Sequence, residues 1–310
     1  MLKFILKRLM MIIPVIVGIS FIIFSIMALT PGDPARLILG ENATQEDVEE
    51  LREEMGLNHN FVVRYINYMK DVLRGDFGLS YRNRIPVFDE VFARFPNTLI
   101  LAFWGISLSV MIGVPIGIIS AVKQYSIIDT VSLGVALILT SIPAFWLGLM
   151  LILLFSLRLD LLPSTGVDTW RHFILPSITL AAGTMATLIR MTRSTMLEVI
   201  RQDYIRTARA KGATENKIIF KHALRNALLP VITIIGINFG FQLGGAMVIE
   251  TVFAMPGLGT LMITSVRMKD TPMVMASVLF VAIAVSLVNL LVDLLYSYID
   301  PRIKSQYAKS

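Results

Sequence analysis

The chain has 310 residues, of which 55% are hydrophobic and 16% are charged, and its mean hydropathy is +0.72. An average soluble protein has about 25% charged residues, so the composition excludes an ordinary water-soluble domain and predicts a polytopic membrane protein. Cysteine is absent and only three histidines are present, which excludes a disulfide framework and a thiol nucleophile and argues against a metal centre. The net charge of +6 is attributed to topology rather than to nucleic acid, because Lys and Arg collect on the cytoplasmic side of membrane proteins.

Six apolar segments meet or approach the roughly 20 residues that a helix needs to cross a bilayer. The sequence therefore predicts an all-α membrane protein with six transmembrane helices. The first segment also resembles a signal peptide, but its apolar run exceeds the usual length of about 7–15 residues, so we interpret it as an uncleaved helix. In chain order the segments are Leu9–Leu29, Leu99–Val122, Val131–Leu157, Phe173–Ile189, Leu228–Ile249 and Met273–Tyr296.

The basic residues predict that both termini are cytoplasmic. In that orientation the inner segments hold sixteen basic residues and the two short outer loops hold four, as the positive-inside rule expects. The predicted organisation is an N-terminal tip and first helix (1–29), an extracytoplasmic helical loop (30–97), a core of five transmembrane helices (98–300) with an inner loop at 190–227, and a cytoplasmic tail (301–310).

The outer loop is predicted to be a small helical structure. Thr44 followed by Asp47 resembles a capping box, which predicts a helix that runs to Met55 and has Gly56 just after its end. A second helix, Phe61–Arg74, is predicted to stop at Gly75. Two interpretations stay open: a folded extracytoplasmic loop, and a docking surface for a partner outside.

The inner loop at 190–227 carries nine basic and three acidic residues, a net charge of six. Asp203 is predicted to cap a short helix, Tyr204–Lys211, which Gly212 terminates, and Thr214 offers a second N-cap. Two short helices joined by a glycine turn would project into the cytoplasm. A solvated loop is the simpler interpretation, but the helix-glycine-helix pattern favours a docking element.

This loop resembles the EAA loop of binding-protein-dependent ABC importer permeases, in the variant of the dipeptide, oligopeptide, glutathione and nickel branch. The resemblance rests on the runs DYIRTARAKG (203–212) and HALRNALLP (222–230). Where the name of the loop expects Glu-Ala-Ala, the chain has Thr207-Ala208-Arg209. Further fragments that agree are TPGDP (30–34), GDFGLS (75–80), RMTR (190–193), PGLG (256–259) and DPR (300–302).

The resemblance implies a type I ABC importer permease, that is, half of a translocation channel for peptides in a prokaryotic inner membrane. It implies a homologous second permease, two cytoplasmic ATPases that bind ATP and Mg, and an extracytoplasmic substrate-binding protein as partners. This chain itself would have no catalytic residue, cofactor or metal site. The residues implied to couple to the ATPases are Asp203, Tyr204, Arg206, Thr207, Ala208, Arg209, Ala210, Lys211 and Gly212.

Three alternatives stay open at this stage. The same scaffold serves nickel or a metal chelate as cargo. A self-contained secondary transporter would show inverted repeats or broken helices at matching positions, and none is evident. An intramembrane enzyme would need a nucleophile or metal constellation within the spans.

Polar residues at membrane depth are candidates for a translocation pathway. Asn238 and Gln242 share one face of the fifth span, and Glu250 lies at its outer end. Hydrogen bonding to neighbouring helices is the structural alternative for these side chains.

Two further features concern helix packing. Gly236, Gly240 and Gly244 form a smooth helix face, which would pack within this chain or against the second permease; Gly113 and Gly117 form a similar pair. Pro143 predicts a kink in the third span.

Overall fold

The computed structural model describes residues 2–40 and 42–299, which are almost entirely helical. The predicted tail at 301–310 and the DPR fragment at 300–302 lie outside the described residues. The α-helices are α1 (Leu2–Leu29), α2 (Pro34–Leu39), α3 (Gln45–Glu54), α4 (Phe61–Leu73), α5 (Val87–Val122), α6 (Ile127–Ser141), α7 (Ala144–Leu151), α8 (Ile174–Ile200), α9 (Asp203–Ala210), α10 (Glu215–Lys217), α11 (Leu224–Val252), α12 (Leu258–Arg267) and α13 (Thr271–Ile299).

Five of the described helical segments are long and apolar enough to cross a membrane, and a bent pair makes a sixth if it counts as one span. The pair is α6 followed by the helical segment Ala144–Arg158, and the chain bends by 99° between them. Pro143 is the N-cap of α7 and the chain is extended at Ile142. The predicted kink is therefore confirmed as a full break, because proline lacks an N–H and disfavours a helical conformation in the residue before it.

Several helices extend beyond the apolar segments that revealed them. α5 begins at Val87 rather than near Leu99, and its first turn carries Asp89 and Glu90, which suit the positive end of the helix dipole. α8 continues to Ile200, beyond the apolar segment that ends at Ile189. Hydropathy marks the part of a helix that lies in hydrocarbon, whereas backbone hydrogen bonding continues into polar sequence.

The described chain forms two compact units. The core unit comprises Leu99–Met255 and residues 287–299, and the flanking unit comprises Leu2–Thr98 and Pro256–Ser286. Within the core unit, α8 lies at the centre, with thirteen buried residues. One apolar cluster packs Leu101, Leu175, Ile249 and Phe253 together.

Close packing of α5 against α8 depends on two glycines. A Cβ atom at Gly117 would lie 2.7 Å from Thr192 Cβ and 2.8 Å from the Ile189 carbonyl oxygen, and one at Gly113 would lie 3.0 Å from the Met185 carbonyl oxygen. Of the six nearest atoms, three are backbone and two are Cβ atoms attached directly to it, so they cannot move aside cheaply. Small residues at such crossings let helix backbones approach closely in a membrane.

We expect Gly117→Val to destabilise the core unit by about 1–3 kcal/mol, the usual cost of overpacking. The measurement is the SDS concentration at which the purified protein unfolds. Gly134→Val is the matched control, because Gly134 is also helical and no atom of the described residues lies within 4 Å of a Cβ built there. Equal effects of the two substitutions would contradict the close-packing interpretation.

The flanking unit contains the predicted helical loop. Thr44 accepts a hydrogen bond from the Asp47 N–H, and α3 ends at the C-cap Met55 before Gly56, as predicted. α4 ends with Arg74 as its C-cap before Gly75, also as predicted. α2 was not predicted; the Asp33 carboxylate caps it by accepting from the Ala35 N–H.

Lys269 and Asp270 hold two loop fragments of the flanking unit together. Lys269 Nζ donates to the carbonyl oxygens of Thr30 (2.6 Å) and Gly32 (2.8 Å). Asp270 accepts hydrogen bonds from the Ser80 hydroxyl and from the Tyr81 N–H. Burial lowers the pKa of the Lys269 ammonium. The adjacent residues between α12 and α13 thus bind both the TPGDP and the GDFGLS fragments.

Candidate functional site

The short helix of the inner loop, α9, is the first candidate element. It comprises Asp203–Ala210, and Gln202 rather than Asp203 is its N-cap. The prediction that Asp203 caps the helix is therefore wrong by one residue: Gln202 holds the extended conformation that an N-cap adopts, although its side chain makes no capping bond. Lys211 is the C-cap and Gly212 follows with φ +80°, the left-handed conformation that favours glycine.

One side chain anchors α9 to the rest of the core unit. Ile205 is fully buried, in a cluster with Ala121 of α5 and Met196 of α8. Ile218 and Ala223, from the segment that leads into α11, and Ala227 of α11 complete the cluster. The other predicted coupling residues lie at the surface: Ala208 is half-buried, and Asp203, Tyr204, Arg206, Thr207, Arg209, Ala210, Lys211 and Gly212 are exposed.

The glycine turn after α9 is bridged by an ion pair. Arg209 donates two hydrogen bonds to the Glu215 carboxylate, at 2.6 Å from Nε and 3.1 Å from Nη2. This pairing lowers the pKa of Glu215. Before the turn, the Tyr204 hydroxyl accepts a hydrogen bond from Asn226 Nδ2 at 2.7 Å. The two sequence runs that carry the EAA resemblance are therefore in direct contact.

The second predicted short helix is not separate. Thr214 is an N-cap as predicted, although its side chain makes no capping bond. The helix that it begins passes through a π-helical turn, Ile218–Ala223, and continues into α11. The prediction of an independent second helix is wrong, because Pro230 lies inside α11 and does not end it.

A cleft of about 560 Å³ lies in the core unit, lined by α7, α8 and α11. Asn238 and Gln242 both line it, together with Thr184 and Thr187. Gln242 Nε2 donates to Thr184 Oγ1 at 3.0 Å, while Gln242 Oε1 is buried with no hydrogen-bond partner among the described residues. Asn238 Nδ2 donates to the Ile234 carbonyl of its own helix at 2.8 Å.

The other predicted residues of α11 lie in different surroundings. Glu250 is buried, with 1% exposure, and does not line the cleft. A Cβ at Gly236 would collide with Val292 of α13, so this glycine packs within the chain. Gly240 is half-buried, whereas Gly244 is exposed, and the described part of the chain places no atom within 4 Å of a Cβ built at Gly244.

The sequence did not reveal a buried charge pair at one end of the core unit. Arg193 of α8 donates to Asp129 of α6 from Nε at 2.6 Å and from Nη2 at 2.8 Å. Asp129 is 3% exposed and also accepts from the Ser120 hydroxyl (2.5 Å) and the Tyr125 N–H (2.9 Å). The pair therefore joins α5, α6 and α8. The RMTR fragment contains Arg193, but no local signal identifies Asp129 as its partner.

Among the described residues, no group of three or more His, Asp or Glu side chains is placed to hold a metal ion.

Two family matches together cover almost the whole chain. Residues 113–305 match the family described as binding-protein-dependent transport system inner membrane component. Residues 1–102 match the N-terminal family of the same membrane components.

Curated relatives agree over the full length. The chain is 43% identical over 304 residues to the glutathione transport system permease protein GsiC of Escherichia coli (strain K12), an alignment that covers 98% of this chain and 99% of the relative. The protein of the same name from Shigella dysenteriae serotype 1 matches equally well.

Solved structures show the same fold over part of the chain. The inward-facing MetNI methionine ABC transporter matches with a TM-score of 0.57 and 23% identity, over 68% of this chain and 96% of that chain. An amino acid ABC transporter matches with a TM-score of 0.54 and 16% identity, over 68% of this chain and 94% of that chain. The chain belongs to the family of binding-protein-dependent transport system inner membrane components, the permease subunits of ABC importers.

Proposed function

We propose that this chain forms half of the translocation channel of an importer for glutathione or similar short peptides. The assignment of the cargo rests on the 43% identity to a glutathione permease over nearly the whole of both chains. In this proposal a second permease completes the channel, two ATPase subunits supply the energy by ATP hydrolysis with Mg, and a binding protein delivers the cargo.

The proposed orientation places both termini in the cytoplasm, with the inner loop on the same side and the 30–97 loop outside. The distribution of sixteen and four basic residues supports it. The exposed residues of α9, with Gly212 after them, would then dock onto an ATPase. Burial of Ile205 against α5 and α8 supports α9 as the element that passes ATPase motion to the transmembrane helices. Switching of the channel between two states needs an element with two arrangements, and a ligand bound to another subunit must favour one of them.

The cleft lined by α7, α8 and α11 is the proposed translocation surface. Its threonine hydroxyls and the Asn238 amide can hydrogen-bond to peptide groups of the cargo, whereas Gln242 Oε1 is buried and is assigned no contact with it. Glu250 lies outside the cleft lining, and we assign it no contact with cargo. Gly236 is assigned to packing within this chain, and the exposed Gly244 to the surface that meets the second permease.

Uptake of labelled glutathione tests the cargo. We expect deletion of the gene in its host to abolish uptake of labelled glutathione, and expression of the chain to restore it. The purified chain alone in liposomes should show neither uptake nor ATP hydrolysis. Normal glutathione uptake with defective uptake of labelled nickel in the deletion strain would contradict the peptide assignment. Uptake by the chain alone would contradict the subunit role.

The cleft assignment predicts that Asn238→Leu raises the KM for uptake by about fivefold, because one hydrogen bond to cargo contributes about 1 kcal/mol. Among the described residues, the Asn238 side chain bonds only within its own helix, so the protein should remain folded. Thr251→Val is the control: Thr251 also bonds to its own helix, at the Met247 carbonyl, but lies outside the cleft. The same KM for both variants and the wild type would contradict the assignment.

A further inference from the structure

A pocket of about 230 Å³ in the flanking unit carries an excess of positive charge. Arg52, Arg64 and Lys269 contribute three cationic side chains to its lining, and Asp33 contributes the single carboxylate. The Arg52–Asp33 ion pair is long, at 3.7 Å, and Glu49 lies 3.9 Å from the same Arg52 nitrogen, outside the lining. The pocket therefore keeps a net positive charge.

The two arginines retain unused hydrogen-bonding capacity. Arg52 Nε is buried and has no hydrogen-bond partner among the described residues. The Arg64 guanidinium lies 5.7 Å from the centre of the Phe24 ring and forms no ion pair within the described part of the chain. A guanidinium presents five N–H donors in a planar fork that matches a phosphate or carboxylate group. The expected ligand is thus an oxyanion.

The position of the pocket along α1 indicates its depth in the membrane. Its lining includes Phe24, Met27 and Thr30, at the C-terminal end of a 25-residue apolar segment that ends at Leu29. With a rise of about 1.5 Å per residue, Phe24 lies about 7 Å from that end of the helix. This is the level at which the acyl region of a bilayer meets the headgroups.

The helix beside the pocket, α4, packs along the C-terminal half of α1. The Tyr65 hydroxyl of α4 donates to the Val17 carbonyl at 3.1 Å and contacts the Ser20 hydroxyl at 2.9 Å. Val17 is about 18 Å from Leu29 along α1. Apolar side chains of α4 are nevertheless exposed, among them Val62 (55%) and Ile66 (44%). Where α4 lies against the membrane-spanning part of α1, lipid acyl chains would cover such side chains.

We propose that this pocket binds the phosphate headgroup of an anionic phospholipid of the leaflet at the C-terminal end of α1. The guanidinium groups of Arg52 and Arg64 would hold the phosphate, while the exposed apolar faces of α1 and α4 contact the acyl chains. Basic pockets at the membrane surface recognise anionic lipids in this way. The inference does not depend on the cargo of the importer.

The test measures lipid bound to the purified full-length chain after incubation in mixed micelles of equimolar phosphatidylglycerol and phosphatidylcholine. We expect the wild type to retain phosphatidylglycerol preferentially. The double substitution R52Q/R64Q should lower that enrichment by about tenfold or more, since each basic residue at a membrane surface contributes measurably to anionic lipid binding. The control R36Q/R74Q removes two arginines of the same 30–97 loop that do not line the pocket, and it should retain the enrichment.

Two further measurements keep the proposal falsifiable. If R52Q/R64Q does not purify as a folded protein, R64Q alone provides the test, because Arg64 makes no ion pair among the described residues. Millimolar inorganic phosphate should leave the lipid enrichment unchanged. If free phosphate abolished the enrichment, the proposal that a lipid is the ligand would be wrong. Equal enrichment in the wild type and the pocket variant would overturn the site itself.

Discussion

Asp129→Ala is expected to lower the free energy of unfolding by about 3–5 kcal/mol, the usual cost of leaving one member of a buried ion pair without its partner. The Arg193 side chain is only 19% exposed, so water cannot replace the lost carboxylate. The Ser120 hydroxyl and the Tyr125 N–H would lose their acceptor as well. The measurement is a reversible SDS titration of the purified chain.

The matched control for this prediction is Asp203→Asn. The Asp203 side chain is 97% exposed and its ion pair with Arg206 is 3.8 Å long, so the effect should stay below about 1 kcal/mol. The double variant Asp129→Leu, Arg193→Met should recover at least about half of the lost stability, because an apolar pair can replace a buried ion pair. A loss below about 1 kcal/mol for Asp129→Ala would show that the pair does not join the three helices energetically.

Gly212→Val is expected to reduce the cargo transported per ATP hydrolysed by about tenfold in the complete importer. The left-handed conformation costs a residue with a Cβ about 1–2 kcal/mol, and a β-branched side chain makes it less favourable. Within residues 2–40 and 42–299, no atom lies within 4 Å of a Cβ built at Gly212, so the effect comes from backbone conformation and not from a collision. A changed turn would reorient α9 against the ATPase while leaving the transmembrane helices folded.

Gly212→Asn separates this mechanism from a general effect of mutation. Asparagine adopts the left-handed conformation more readily than other residues that carry a side chain, so this variant should retain most of the coupling. The measurement is glutathione uptake and ATP hydrolysis in parallel, in proteoliposomes that contain the permeases, the ATPases and the binding protein. An unchanged ratio in Gly212→Val would contradict the coupling role of α9, whatever the cargo is.

Local chemistry predicted the helix ends well where a cap and a glycine lie close together in sequence. Thr44 with Gly56 bounded α3, and Gly75 ended α4, because capping depends on residues within one or two turns of each other. Prediction was poorer where long helices pass from hydrocarbon into polar surroundings. α5 and α8 extend past their apolar segments because a helix continues as long as its backbone hydrogen bonds do.

The candidate site was predictable only in part, for a related reason. The exposed residues of α9 were found from a contiguous motif, and the cleft residues Asn238 and Gln242 from their spacing on one helix. The Asp129–Arg193 pair joins residues 64 positions apart, and no periodicity in a single sequence reports such a distance. The burial of Ile205 likewise could not be predicted, because it depends on which side chains of α5 and α8 pack against it.

The single buried anchor of α9 has a mechanical consequence. Ile205, together with the hydrogen bond from Asn226 to the neighbouring Tyr204 hydroxyl, holds the N-terminal end of the helix, so a tilt would pivot there. Ala210 is five residues further on, about 7 Å along the axis. A tilt of about 20° would then displace that end by roughly 2–3 Å while Ile205 stays in place. Arg209 and Lys211, which are exposed near that end, would move farthest when a bound ATPase changes its shape.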